Sequence, residues 1–236
     1  MRNIAIIPAR SGSKGLKDKN ILPLNGVPLM AYTIKAALDS GKFDKVMVST
    51  DSEEYARIAQ QWGAEVPFLR SPEVSTDTAS SWAVVREVLE RYEAMGEHFD
   101  TFALLQVTSP LRQGKHIVEA YELLAEKQAN AVIAVYKMPM PLEKCKHMES
   151  DLRMDDWCQN DTTSMPRQMF KPAYHINGSI YICYTDVFFR QKSIMEKDCY
   201  AYLMNSLYST DVDELEDFQM AEAIIQYLPD FKDYFA

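Results

Sequence analysis

Four cations crowd into ten residues near the start of the chain: Arg10, Lys14, Lys17 and Lys19. They lie in Pro8-Ala9-Arg10-Ser11-Gly12-Ser13-Lys14-Gly15-Leu16-Lys17-Asp18-Lys19-Asn20. Gly12 and Gly15 let the backbone approach a ligand and turn N–H groups toward it. Arginine offers a planar fork of donors and lysine a point charge, two ways of gripping phosphate oxygens. The loop matches neither GxxxxGK[ST] nor GxGxxG. Taken alone, it reads equally well as a solvated, charged surface loop. A second constellation is Asp211-Val212-Asp213. If extended, it projects both carboxylates to one face and buries Val212 on the other. Two carboxylates at that spacing suit a hard cation whose other ligands are water and phosphate. The competing reading is an N-cap for the last helix, which accounts for Asp213 but not for Asp211.

Strands and helices must hold these groups. Asn3 to Pro8 is a continuous apolar run, as expected of a strand buried on both faces. Met30 to Ser40 reads as a helix stopped by Gly41, and Lys45 to Ser49 as a second strand. Asp51 is placed to cap a helix from Ser52 to Trp62, with Gly63 as its stop. Asp77 or Thr78 is placed to cap another, through about Met95. Phe102 to Val107 and Ala131 to Val135 read as core strands, with a helix from about Lys115 to Lys127 between them. Strand character returns from Ile176 to Cys183, and a helix is expected from about Asp213 to Tyr227. The rhythm predicts a single α/β domain: a Rossmann-like, mostly parallel sheet with helices on both faces. Such sheets bind ligands at the carboxyl ends of their strands, so the loops after Ile7, Val48 and Gln106 should share one mouth. Between about Lys137 and Pro172 periodicity is lost, which suggests a lid or an interface element.

Composition narrows the partners. The chain has 236 residues, 47% hydrophobic and 25% charged, which excludes disorder and leaves enough surface to bury without staples. With 34 Asp and Glu against 25 Lys and Arg, bulk charge argues against nucleic acid. A few clustered cations can still serve a small anion. Cys145, Cys158, Cys183 and Cys199 form no CxxC pair, so neither zinc nor a disulfide frame is signalled. No apolar run reaches the roughly 20 residues of a membrane helix. Met1-Arg2-Asn3 runs directly into a strand without signal-peptide character, so a cytoplasmic location is expected.

Five stretches together resemble the acylneuraminate cytidylyltransferases, the CMP-sialic acid synthetases. They are Ile6 to Gly15 followed by Lys19-Asn20; Ser49-Thr50-Asp51-Ser52-Glu53; Leu105-Gln106-Val107-Thr108-Ser109-Pro110-Leu111-Arg112; Asn177-Gly178-Ser179-Ile180-Tyr181; and Asp211-Val212-Asp213. Their order and spacing agree with the family across essentially the whole chain. The resemblance implies a nucleotide-diphospho-sugar transferase type of fold. It also implies transfer of CMP from CTP to the anomeric hydroxyl of a nine-carbon α-keto acid sugar, with magnesium as cofactor and pyrophosphate released.

Residue by residue, the resemblance gives Arg10, Lys14 and Lys19 to the triphosphate, with Arg10, Lys14 and Asp211 as the catalytic set. It gives Ala9 (through its backbone), Ser13, Asn20, Arg70 and Ser80, or its neighbour Ser81, to the nucleotide. Judged by residue type alone, Arg70 reads as a surface ion-pair residue. Gln106, Ser109 and Tyr181 fall to the acceptor sugar, and Arg167 and Lys144 to its carboxylate. Asp211 and Asp213 fall to magnesium. Thr108 reads as structural or ligand-facing with equal weight. His175 stands near a position where many relatives carry arginine, which leaves open which nine-carbon acid is accepted. Relatives of this length are usually homodimers, and residues 137–175 would form the dimerisation insert, with Arg167 serving the partner. The rival readings are a 3-deoxy-octulosonate cytidylyltransferase and a non-catalytic nucleotide-binding protein.

Overall fold

The computed structural model describes residues 1–12, 15–156, 166–232 and 234–235. In chain order the strands are β1 Asn3–Pro8, β2 Pro23–Leu24, β3 Val27–Pro28, β4 Lys45–Ser49, β5 Thr101–Leu104, β6 Ala131–Lys137, β7 Lys146–Met148, β8 Met154–Asp156, β9 Tyr174–Tyr184 and β10 Cys199–Met204. The helices are α1 Leu29–Ser40, α2 Glu53–Gln61, α3 Ser81–Ala94, α4 Gly114–Glu126, α5 Thr185–Arg190 and α6 Leu215–Tyr227. Six strands form one sheet in the order β10-β6-β9-β5-β1-β4. β1 pairs parallel with β4 and β5, and β6 with β10, while β9 runs antiparallel between β5 and β6.

Alternation along the strands builds two cores. Ala5, Ile7, Val46, Val48, Val132 and Ala134 face one side, where residues of α1, α2, α4 and α6 cover them. Ile4, Ile6, Met47, Phe102 and Ile133 face the other, beneath α3 and α5. β1, β4, β5 and β6 are thus apolar on both faces, which is why β1 and β6 read as unbroken hydrophobic runs. The expected α/β sheet with helices on both faces is what the chain forms.

Several local expectations are corrected. Ser52, not Asp51, caps α2: its hydroxyl accepts from the Tyr55 N–H at 3.3 Å. Ser80, not Asp77 or Thr78, caps α3, accepting from Ala83 N–H at 3.2 Å. Both aspartates have other partners, described below. α6 begins at Leu215, where the Asp217 carboxylate accepts from the Asp213 and Glu214 N–H groups at 3.0 and 2.9 Å. Asp213 is therefore outside the helix and does not cap it. β5 ends at Leu104, so Gln106 to Thr108 belong to the loop above it. Residues 137–172 are not wholly irregular, since β7 and β8 form an antiparallel hairpin there. The edge strand β10, helix α5 and the β2–β3 hairpin were not anticipated. No helix among the described residues is long and apolar enough to cross a membrane.

Candidate active site

The loops after β1, β4 and β5 meet at the carboxyl ends of their strands, as expected. The Ser11 N–H and hydroxyl donate to Asp51 beyond β4, at 2.7 and 3.0 Å. Val212 N–H donates to Thr108 O at 2.8 Å, which brings in the segment before α6. A cleft of about 360 Å³ opens there, lined by the loop after β1, Arg70, the start of α3, the loop after β5 and the segment before α6. Arg10, Lys19, Asn20, Arg70, Gln106, Asp211 and Asp213 all line it, although they come from four separate stretches of sequence.

Close backbone contact explains one of the glycines. A Cβ on Gly15 would lie 2.7 Å from Asp213 O, so only glycine lets the cation-rich loop pack on the Asp211–Asp213 segment. Val212 is fully buried, as the alternation argument requires.

The cations are held individually. Asn20 Nδ2 donates to Arg10 O at 2.9 Å and so fixes the backbone beneath the arginine. The Arg10 guanidinium pairs with Asp77 at 2.7 Å. Lys19 is 8% exposed and reaches Asp213 at 2.8 Å. Arg70 is 7% exposed, which overturns its reading as a surface ion-pair residue. Its Nε donates to Ser49 Oγ at 3.0 Å and its Nη2 to Ser49 O, capping the end of β4. Burial pulls its pKa down to about 10, so it remains cationic at neutral pH.

The carboxylates differ. Burial pushes the Asp211 carboxyl above the usual aspartate range; a Thr108 hydrogen bond and the Lys19 charge oppose this, while Asp213 reinforces it. Thr108 is therefore a second anchor for Asp211 as well as a lining residue. Asp213 keeps a side chain that is 69% exposed and open to the cleft. Among the described residues no group of three or more His, Cys, Asp or Glu converges as a metal cage. Two oxygen-donor side chains set in a cleft beside cations fit a hard divalent ion that takes its remaining ligands from water and phosphate.

Other expected residues are placed differently. Ala9 is fully buried and its N–H donates to Ser49 O at 2.9 Å, so only its carbonyl could serve a base. Ser80 spends its hydroxyl on the α3 cap and faces a neighbouring cavity, while Ser81 lines the cleft. A start one residue later in α3 decides between the two serines. Ser109 is fully buried and donates to Asn177 O at 3.3 Å, which makes it a brace between the β5 loop and β9. Tyr181 lines the neighbouring cavity, about 380 Å³, with its ring edge-on to Trp82 at 5.5 Å. Lys144 sits over the Phe170 ring at 5.4 Å and is absent from the cleft lining. His175 is exposed on β9, its ring 5.5 Å from that of Tyr136. Ser13, Lys14 and the Arg167 side chain lie outside the described residues.

Sequence reasoning missed two carboxylates. Asp51 and Asp77 read as helix caps, but they hold Ser11 and Arg10 of the phosphate-type loop. No spacing rule links residues 67 positions apart, so only the meeting of the loops reveals the Arg10–Asp77 pair.

A mostly parallel α/β sheet with phosphate-suited cations and a carboxylate pair over its strand ends defines a nucleotidyltransferase-type architecture. A solved structure of CMP:2-keto-3-deoxy-manno-octonic acid synthetase complexed with CTP matches this fold. Its TM-score is 0.70 at 16% identity, covering 97% of this chain and 100% of that one. Residues 4–227 match the family model described as cytidylyltransferase, and the chain belongs to that family. It is 41% identical over 220 residues to an N-acylneuraminate cytidylyltransferase of Streptococcus agalactiae, covering 92% of this chain and 52% of that protein. It is 34% identical to a CMP-N,N'-diacetyllegionaminic acid synthase of Legionella pneumophila, covering 96% of this chain and 97% of the relative. The chain thus spans about half the length of the streptococcal relative and nearly all of the Legionella one.

Proposed function

We propose that the protein transfers CMP from CTP to the anomeric hydroxyl of a nine-carbon α-keto acid sugar and releases pyrophosphate. The observation that carries this is the cleft itself: Arg10, Lys19 and Arg70 face Asp211 and Asp213 across the carboxyl ends of β1, β4 and β5. Relatives named for N-acylneuraminate and diacetyllegionaminic acid supply the acceptor class.

Arg10 and Lys19 neutralise phosphate oxygens, so that an oxygen nucleophile can approach the α-phosphorus and pyrophosphate can depart. Lys14 and Ser13 complete that loop. Arg70 and Asn20 keep the cations in place, through Ser49 and the Arg10 carbonyl. The acceptor oxygen bonds to the α-phosphorus as the bond to the bridging β-oxygen breaks, and the hydroxyl proton leaves to a carboxylate or to solvent. Asp211 and Asp213 hold magnesium, which supplies charge neutralisation and a lowered hydroxyl pKa when bound. Gln106 orients the acceptor, whose substituents extend toward Tyr181.

Residues 137–175 form the dimerisation insert of a single domain. Exposed Met140, Leu142, Met148, Met154 and Met169 in this segment support a homodimer, across which Lys144 and Arg167 meet the acceptor carboxylate of the partner's site. A CTP-consuming reaction of this kind belongs in the cytoplasm.

The test is pyrophosphate release with CTP and magnesium across a panel of nine-carbon keto acids plus the eight-carbon analogue. Release with one or more nine-carbon acids is expected. Silence with all of them despite measurable CTP binding contradicts the transferase reading.

A further inference from the structure

We propose that Asp77 is a counter-charge that competes with the nucleotide's phosphates for Arg10, weakening the grip on CTP and speeding release of pyrophosphate. This rests on the reading of the cleft as a triphosphate site.

Asp77 meets the functional end of Arg10, not its backbone. The Nη1–Oδ1 distance is 2.7 Å. The backbone is already secured from elsewhere: Asn20 holds the Arg10 carbonyl, and Asp51 holds both polar groups of Ser11. The backbone of Arg10 is therefore held without Asp77, which meets this residue only at the guanidinium. The pair is also open to exchange, with side chains 29% and 39% exposed at the cleft rim. Arg70 is the contrast: it is buried and bonded to the hydroxyl and carbonyl of Ser49, and among the described residues no carboxylate forms an ion pair with it.

The position of Asp77 fits the role. It stands between Pro72–Val74 and α3, in the stretch whose Ala79 and Ser81 line the cleft. A polyphosphate reaching Arg10 must displace this carboxylate, and a departing pyrophosphate meets it as a replacement partner. Lys19 carries the same kind of internal partner in Asp213. Two of the cleft's cations are thus balanced by carboxylates, in keeping with a site that must let its product go. A partly exposed pair is a weak competitor, so its removal should tighten polyphosphate binding by about three- to fivefold, more at low salt.

Asp77→Asn and Asp77→Glu test this, with CTP and inorganic tripolyphosphate as titrants in calorimetry and pyrophosphate as a product inhibitor. Asp77→Asn should bind tripolyphosphate and CTP about three- to fivefold tighter and be inhibited at correspondingly lower pyrophosphate. Asp77→Glu, which restores the charge, should return toward the parent value. A purely structural Asp77 predicts the opposite sign, because a loosened Arg10 binds more weakly. Unchanged or weaker tripolyphosphate binding in Asp77→Asn overturns the proposal. Tighter tripolyphosphate binding without any preference for CTP over other nucleoside triphosphates would keep it and remove the cytidine reading. CTP-selective binding that Asp77→Asn leaves unchanged would do the reverse.

Discussion

Two cavities lie at opposite ends of the same sheet, and the larger one is the poorer candidate. The cleft over the carboxyl ends of β1, β4 and β5 measures about 360 Å³. A cavity of about 600 Å³ opens at the amino ends of β1 and β5, between Met1, Phe99, Asp100 and Tyr184. The larger one is edged by Glu90, Glu93, Glu97, Asp100 and Asp186 over an apolar floor. Its carboxylates sit in partly exposed surface pairs, Arg86 with Glu90 and Arg190 with Asp186 along their helices and Arg2 with Glu97 across 95 residues. Such partly exposed pairs contribute little. In the small cleft Lys19, Asn20 and Arg70 are buried, cations and carboxylates converge from distant stretches of sequence, and backbones nearly touch. Lys19 crosses 194 residues to reach Asp213. Chemistry follows that convergence, not volume.

The sharpest way to break the comparison is to remove one carboxylate from each end. Asp211→Asn should lower turnover by about 10³-fold with the far-ultraviolet spectrum unchanged, since several kcal/mol of transition-state charge stabilisation is lost. Glu93→Gln in the other cavity should leave turnover within about twofold. A large loss from Glu93→Gln, or near-normal turnover in Asp211→Asn, breaks the assignment.

Acid sensitivity needs separating from the site. His116 in α4 is 6% exposed, and its Nδ1 accepts from the Gln113 N–H at 3.1 Å. Burial, aided by the Lys115 charge, pulls its pKa down to about 4 from 6.5. The unfolded chain therefore binds a proton first as the pH falls. The stability this group contributes is complete above about pH 6.5 and is lost progressively toward pH 4, by about 3 kcal/mol. Denaturant unfolding across that window should show a flatter acid limb in His116→Gln. An identical limb in the variant would assign the acid loss elsewhere, including to the cleft.

A smaller effect tests the wall behind Gln106. Gly178 has φ +72°, and a Cβ there would overlap Gln106 Oε1. Gly178→Ala should cost about 1–2 kcal/mol of stability through the left-handed backbone. Because Gln106 must move, turnover should fall by about tenfold, measured as pyrophosphate release. Unchanged turnover would take Gln106 out of the acceptor site.

The sequence was most legible where one stretch carries its own pattern. The apolar runs of β1, β4 and β6 and the Asp211–Asp213 alternation depend on local period, and they stand as read. The edge strand β10 escaped because its burial is one-sided and its place beside β6 is decided by tertiary pairing. Arg70 misread as a surface residue because the acceptors that allow its burial belong to Ser49, 21 positions away. Ser80 and Ser81 differ by one residue of helix register, finer than propensity resolves. Asp77 was legible as a carboxylate before a helix, but its partner across the cleft was not.

The most direct test of the central claim is backbone hydrogen exchange of the intact protein with and without CTP and magnesium. The account predicts slowed exchange in residues 8–20, 49–52, 70–81, 105–109 and 211–213, and no change in 89–100 or 184–189. Protection confined to the acidic cavity at the opposite end would contradict it.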